Sequence, residues 1–267
     1  MTKAIKLYLV GLLISSLLIA SKGYGQDASD LKLEFDHIVL FVSDYALKDS
    51  LDQLFTPAEK LTTEHKSQGT VGYYYLFYNT FIELLFLQDS TNAKLNKENF
   101  GSNYLLRWSK DESYCPIGFG MLMSPWDINI EKTAFSKYES KDSKNDEYYL
   151  MSDYNSNLSQ PLIYVSMPHH DYKSVDSLED IDKRPKEIRS DLKNYLTHRS
   201  QVKRISKIIY SSSLEDKSSG NMRILKKNQS IQVQTANSSA LILIFDNERN
   251  NQKQLRLNDN TKLIIQY

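Results

Sequence analysis

Hydrophobic residues fill both faces of the segment from Leu33 to Val42, with Phe35, His37, Val39 and Phe41 alternating against Ile38, Leu40 and Val42. Such a run predicts a strand covered on both sides. Ser43 or Asp44 can cap a helix in which Leu47, Leu51 and Leu54 recur at i, i+4 and i+7, and Pro57 ends it. A polar link with His65 and Gly69 leads to a strand near 71–78. Asn79-Thr80 then turns the chain into a strand at 81–87. The predicted order is β-α-β-β-β. Period two places Glu83 on the face of Phe81, Leu85 and Leu87.

The pattern then breaks and restarts. Residues 89–116 read as a polar connecting excursion with a short helix at Tyr104–Trp108. A second unit opens with a strand at Ile117–Met123. Ser124-Pro125 then starts a helix from Trp126 to Tyr138, carrying Ile130, Ala134 and Tyr138 at helical spacing. Strands follow at 147–151 and 161–167, and His169-His170 stand directly after the latter. A helix at 185–196 precedes strands at 202–211, 222–225, 231–235, 240–245, near Leu255, and at 263–267. The expected fold is α+β: paired βαβββ-type modules forming a curved mixed β-sheet cup with flanking helices. The chain divides into residues 1–25, a first module at 30–88, the excursion at 89–116, and a second module at 117–267, within one globular domain.

The first 25 residues change the compartment. MTKAIK is a short basic start, LYLVGLLISSLLIA is too short for a comfortable membrane span, and Gly23 and Gly25 are small residues at the −3 and −1 positions of a cut before Gln26. This predicts a signal peptide, a secreted or periplasmic protein, and no membrane attachment after cleavage. Cys115 is the sole cysteine, so the core must hold without an internal disulfide, and the thiol reads as buried and inert.

Charge excludes further classes. The chain carries 33 basic and 33 acidic residues; cleavage would remove Lys3, Lys6 and Lys22 and no acid, leaving 30 and 33, a net −3. Nothing in that balance attracts nucleic acid. No GxGxxG, GxxxxGK[ST] or GxSxG occurs, which removes phosphate-cradling and serine-hydrolase readings. The remaining partner is a small-molecule ligand, and a homodimer is compatible with the composition.

The candidate chemistry lies in the first module. His37 and Glu83 each sit in an apolar strand, where an ionisable group needs a hydrogen bond, an ion pair, a neutral form or a metal. The stripe Tyr73, Tyr75 and Phe77 alternates with Tyr74, Leu76 and Tyr78, so one phenol-bearing face should line the cup and the other meet the helix. Tyr73 and Tyr75 are taken as the lining pair. A histidine satisfied in the core by Glu83 or a tyrosine is an open reading for His37.

The segments FDHIVLFVSD, HKSQGT and NTFIELLFL resemble the vicinal oxygen chelate superfamily of glyoxalases, bleomycin-resistance proteins and extradiol dioxygenases, in its large glyoxalase-like form. IGFGMLMS, PLIYVSMP and HRSQVKRISKIIYS are weaker echoes. The resemblance implies a curved sheet around a divalent metal, with ligands from the first and last strands of each module. It places His37 and Glu83 at the two metal positions of the first module, for Zn, Fe, Mn or Ni. It gives Glu83 or His65 a proton-handling role. Trp126, His169 and His198 join Tyr73 and Tyr75 as candidate substrate contacts, with Trp126 reading as core before it reads as a ligand platform. The second module departs from the pattern: IGFGMLM offers no ligand, and ALILIFD none before Asp246. His65, His169, His170 or His198 would have to supply the rest. A metal-dependent lyase, isomerase or oxygenase, a metal-free binding protein, and a non-catalytic exported module therefore all remain open, and a site without metal is as compatible as one with it.

Overall fold

The structure is a computed structural model that describes residues 32–95, 104–111, 113–123, 133–139, 148–166, 175, 177–184, 186–212, 220–247 and 251–267. Expectations for residues 1–25, Trp126, His169 and His170 lie outside the described residues. Among the described residues no helix is long and apolar enough to cross a membrane.

Eight strands form a curled mixed sheet: β1 (Leu33–Val42), β2 (Thr63–His65), β3 (Thr70–Leu76), β4 (Phe81–Leu87), β5 (Ile117–Met123), β6 (Phe135–Tyr138), β7 (Tyr149–Ser152) and β8 (Leu162–Ser166). Their order is β2-β3-β4-β1-β5-β8-β7-β6. The two halves repeat one topology. β1 runs parallel to β4 and β5 parallel to β8, the other neighbours within each half are antiparallel, and β1 joins β5 antiparallel.

The alternation of side chains along these strands builds two separate cores. One face carries Ile38, Leu40, Ile82, Leu84, Ile117, Phe119, Ile163 and Val165, all fully buried. Helix α1 (Ala46–Asp52) covers part of it with Leu47 and Leu51. Each such aliphatic side chain contributes roughly 1.5–3 kcal/mol by leaving water. The other face carries Val39, Phe41, Leu85, Met151 and Leu162, roofed by Tyr104 and Trp108 from the 3-10 turn Tyr104–Trp108. Trp108 Nε1 donates to the Leu85 carbonyl at 2.7 Å, which fixes that turn to β4.

The C-terminal quarter forms a sheet of its own. Residues from Ile205 on form a second sheet, β10-β9-β11-β13-β12, built from β9 (Ile205–Ser212), β10 (Ile231–Thr235), β11 (Ser239–Phe245), β12 (Gln252–Arg256) and β13 (Thr261–Gln266). Ile208, Tyr210, Leu241, Leu243, Leu263 and Ile265 share the first core with the back of the curled sheet. Within the span 117–267, β5 to β8 complete the curled sheet and the later strands back it. ALILIFD is β11 of the second sheet; the last strand of the second half is β8.

Two local assignments also change. Residues 222–225 belong to a helix, Gly220–Lys227, whose periodic Met222, Ile224 and Leu225 are buried. Phe135–Tyr138 is a strand paired with β7, so the helical spacing of Ala134 and Tyr138 does not extend to these residues. Ser90–Leu95, Leu178–Asp182 and Lys186–Tyr195 are the remaining described α-helices.

Candidate functional site

The face with Val39 and Phe41 encloses a cavity of about 460 Å³. Its lining draws on β1 to β4 and β6 to β8 together with Leu122 and Tyr104, so both halves of the sheet contribute. His37, His65 and Glu83 all line it.

A β-bulge fixes the chemistry on β1. The β1–β5 register shifts between Phe35 and His37. Strict alternation would send Asp36 to the face opposite His37; the extra residue lets both line the cavity. It also sends Phe35 to the back, where its ring meets Phe119 edge-on at 6.4 Å. Thr80 Oγ1 donates to the Asp36 carbonyl at 2.6 Å, satisfying the backbone beside the bulge.

His37 is held at both nitrogens. Nδ1 donates to Asp36 Oδ2 at 2.6 Å, and the Tyr164 hydroxyl donates to Nε2 at 2.5 Å. This tautomer follows from the partners, since a carboxylate accepts and a protonated phenol donates. Burial, then the nearby Glu83 carboxylate, raises the Tyr164 phenol well above its ordinary value. The imidazole also stacks on Phe81, with ring centres 4.1 Å apart.

Glu83 lies between two imidazoles. His37 Nε2 is 3.9 Å from Oε2, His65 Nε2 is 3.5 Å from Oε1, and the Tyr74 hydroxyl donates to Oε1 at 3.1 Å. Burial alone would raise the Glu83 carboxyl. Its neighbours His65, His37 and the Tyr74 hydroxyl more than offset it, and the carboxyl is held below the usual carboxylate range. Glycines make room for this arrangement. A β-carbon on Gly72 would fall 2.3 Å from Glu83 Oε1, and one on Gly120 would fall 2.3 Å from His37 Cε1.

The tyrosine stripe of β3 is used with the opposite face. Tyr74 lines the cavity, whereas Tyr73 packs on Phe86 and Tyr45, and Tyr75 is buried with its hydroxyl donating to Asp52 Oδ1 at 2.6 Å. The pairing Tyr74↔Glu83 imposes this, because directly opposed residues share a face. His198 also lies elsewhere. Thr56 N donates to its Nδ1 at 3.1 Å, its Nε2 donates to the Leu76 carbonyl at 2.8 Å, and Phe55 and Phe77 surround it. Its role is in the core. Cys115 is buried, as its sequence setting suggests.

Sequence reasoning missed Asp36, Tyr74 and Tyr164. Tyr164 lies on β8, the strand that takes the place of β4 in the second half, paired with Gly120 of β5. The signal was available in PLIYVSMP, a tyrosine in an apolar strand.

The residues that the resemblance assigns to a metal are engaged with one another in this structure. Nε2 of His37 is occupied by the Tyr164 hydroxyl, and the two imidazoles approach different oxygens of Glu83. Among the described residues no group of three or more His, Cys, Asp or Glu side chains is placed to hold a metal ion.

No family model and no curated protein matches this chain. Among solved structures, the chain is similar to a hypothetical protein from Staphylococcus aureus at 9% identity and TM-score 0.49, covering 88% of this chain and 98% of that one. It is similar to methylmalonyl-CoA epimerase from Mycobacterium tuberculosis at 12% identity and TM-score 0.32, covering 51% of this chain and 88% of that one. A hypothetical protein from Bacillus halodurans gives 12% identity and TM-score 0.32, covering 53% and 99%.

Proposed function

We propose that this is an exported, glyoxalase-like protein that binds a small molecule inside the curled sheet without a metal. One observation carries the reading: a cavity of about 460 Å³ holds an ionised carboxylate, Glu83, between two imidazoles and against aromatic walls. A cavity of that size with few convergent polar groups is the usual form of a small-molecule site. The duplicated strand order and the residues His37 and Glu83 support the likeness to the vicinal oxygen chelate group, and the pattern of residues 1–25 supports export.

A second reading has its own observation. The line Asp36–His37–Tyr164 orients an imidazole and a phenol toward the space beside Glu83. A ligand with an acidic C–H or O–H could lose a proton to Glu83 there.

The test is calorimetric titration of the chelator-treated mature protein with a panel of phenols, sugars, vicinal diols and amines. We expect binding by at least one class, abolished by Leu85→Trp, which fills the cavity from β4, at unchanged melting behaviour. Binding that requires added Zn, Fe, Mn or Ni would refute the metal-free reading. Binding that survives Leu85→Trp would move the site out of the cup.

A further inference from the structure

The cavity walls carry information about the charge of what they receive. Its described lining contains two carboxylates, Asp36 and Glu83, two imidazoles, and no lysine or arginine. Five tyrosines line it as well. Two aromatic pairs form open corners: Tyr149 and Tyr164 meet at 79° with centres 5.9 Å apart, and Tyr74 and Phe81 meet at 61° with centres 5.9 Å apart. In an edge-to-face pair one ring offers its face away from its partner, and aromatic faces attract cations.

The buried guanidinium of Arg107 is turned away. Arg107 sits behind Phe41, 5.8 Å from its ring centre, and donates to the carbonyls of Cys115 and Gln160 at 2.9 Å each. Burial first, and then the Glu83 carboxylate, raises the phenols of Tyr74, Tyr104 and Tyr164. A carboxylate that disfavours phenolate is a counter-charge for a cation.

Resting on the reading of the cup as a small-molecule site, we infer that its ligand is a small organic cation, an ammonium or quaternary amine, seated between the Tyr149–Tyr164 and Tyr74–Phe81 corners with Glu83 and Asp36 as counter-charges. A quaternary head suits the walls best, since it needs no hydrogen-bond acceptor and gains from ring faces on several sides.

Three probes of one shape separate charge from fit: choline, its neutral carbon isostere 3,3-dimethylbutan-1-ol, and the anion 3,3-dimethylbutanoate. Each is titrated into the full mature chain by calorimetry. We expect choline to bind at least tenfold more tightly than the alcohol, and the carboxylate most weakly. Tyr149→Leu, a change at a half-exposed wall, should reduce the preference for choline over the alcohol, and Glu83→Gln should reduce it further. Equal affinity for choline and the alcohol, or preference for the carboxylate, would overturn the inference and leave the small-molecule site standing. Absence of choline binding at millimolar concentration would also overturn it, while the site itself is judged by the wider ligand panel and Leu85→Trp.

Discussion

The imidazole of His37 lies directly over Gly120, its cross-strand partner on β5, so closely that a β-carbon there would come within 2.3 Å of Cε1 and 2.6 Å of Nδ1. The glycine is therefore part of the site, although it has no side chain to contribute. Without that space the ring could not lie flat on Phe81 and still reach both Asp36 and Tyr164.

Gly120→Ala should consequently displace His37. Forcing a methyl group into packed surroundings costs about 1–3 kcal/mol. We expect a loss of that order in chemical denaturation, with changed ring resonances for His37 by NMR. Gly118→Ala, two residues earlier on the same face, is the control. Its β-carbon would meet Val39 at 3.4 Å and Leu162 at 3.5 Å, close to ordinary contact. Equal effects from the two substitutions would refute the specific role of Gly120.

The first half of the sheet was readable because its alternation is clean. Period two places His37 with Val39 and Glu83 with Leu85, and these four residues do share a face. Alternation could not reveal the bulge at Asp36, which depends on pairing with β5. Nor could it choose a face for Tyr73, Tyr74 and Tyr75, since phenols occur on both and only the register with β4 decides. Tyr164 is hidden by connectivity: ALILIFD forms β11 of the second sheet, and the strand of the second half that matches β4 is β8. The apolar runs of the two sheets are alike in composition, so which strand closes which sheet is set by long-range pairing.

Glu83→Gln keeps the shape and removes the charge. Removing one side of a buried, charge-assisted hydrogen-bond network costs about 1–3 kcal/mol, which should appear as a lower denaturation midpoint at neutral pH. The pH dependence is more diagnostic. Because the folded carboxyl is held below its ordinary value of 4.5, its stabilisation is present above that value and is lost as pH falls through the folded one. The parent should lose stability across that acid range more steeply than Glu83→Gln. Parallel acid profiles would mean that Glu83 is not ionised in the folded cup.

Tyr74 and Tyr75 are adjacent in sequence and separate in function. Tyr75→Phe removes the hydroxyl that donates to Asp52 on α1, and a loss of about 1 kcal/mol is expected with ligand binding intact. Tyr74→Phe removes the donor to Glu83 Oε1 and should weaken ligand binding instead. Calorimetric titration beside denaturation separates the two. If Tyr75→Phe impaired binding more than Tyr74→Phe, the assignment of faces would fail.

His198 makes the last case, because its two hydrogen bonds require a neutral ring. Nδ1 accepts from Thr56 N, which a protonated imidazole cannot do, while Nε2 donates to Leu76. Burial pushes the group down to about 4 from 6.5, and the bond to the Leu76 carbonyl only partly opposes the shift. In the unfolded chain the ring protonates on passing below 6.5; in the folded chain it resists until about 4. The unfolded state therefore binds more protons across that interval, and stability falls as pH drops through it, by roughly 3 kcal/mol in total. His198→Gln should flatten the profile between those two values while lowering stability at neutral pH, where its amide replaces the imidazole bonds imperfectly. Urea denaturation at several pH values reads both effects. A parent profile without this decline, or one that His198→Gln leaves unchanged, would show that the ring is not held neutral between Thr56 and Leu76.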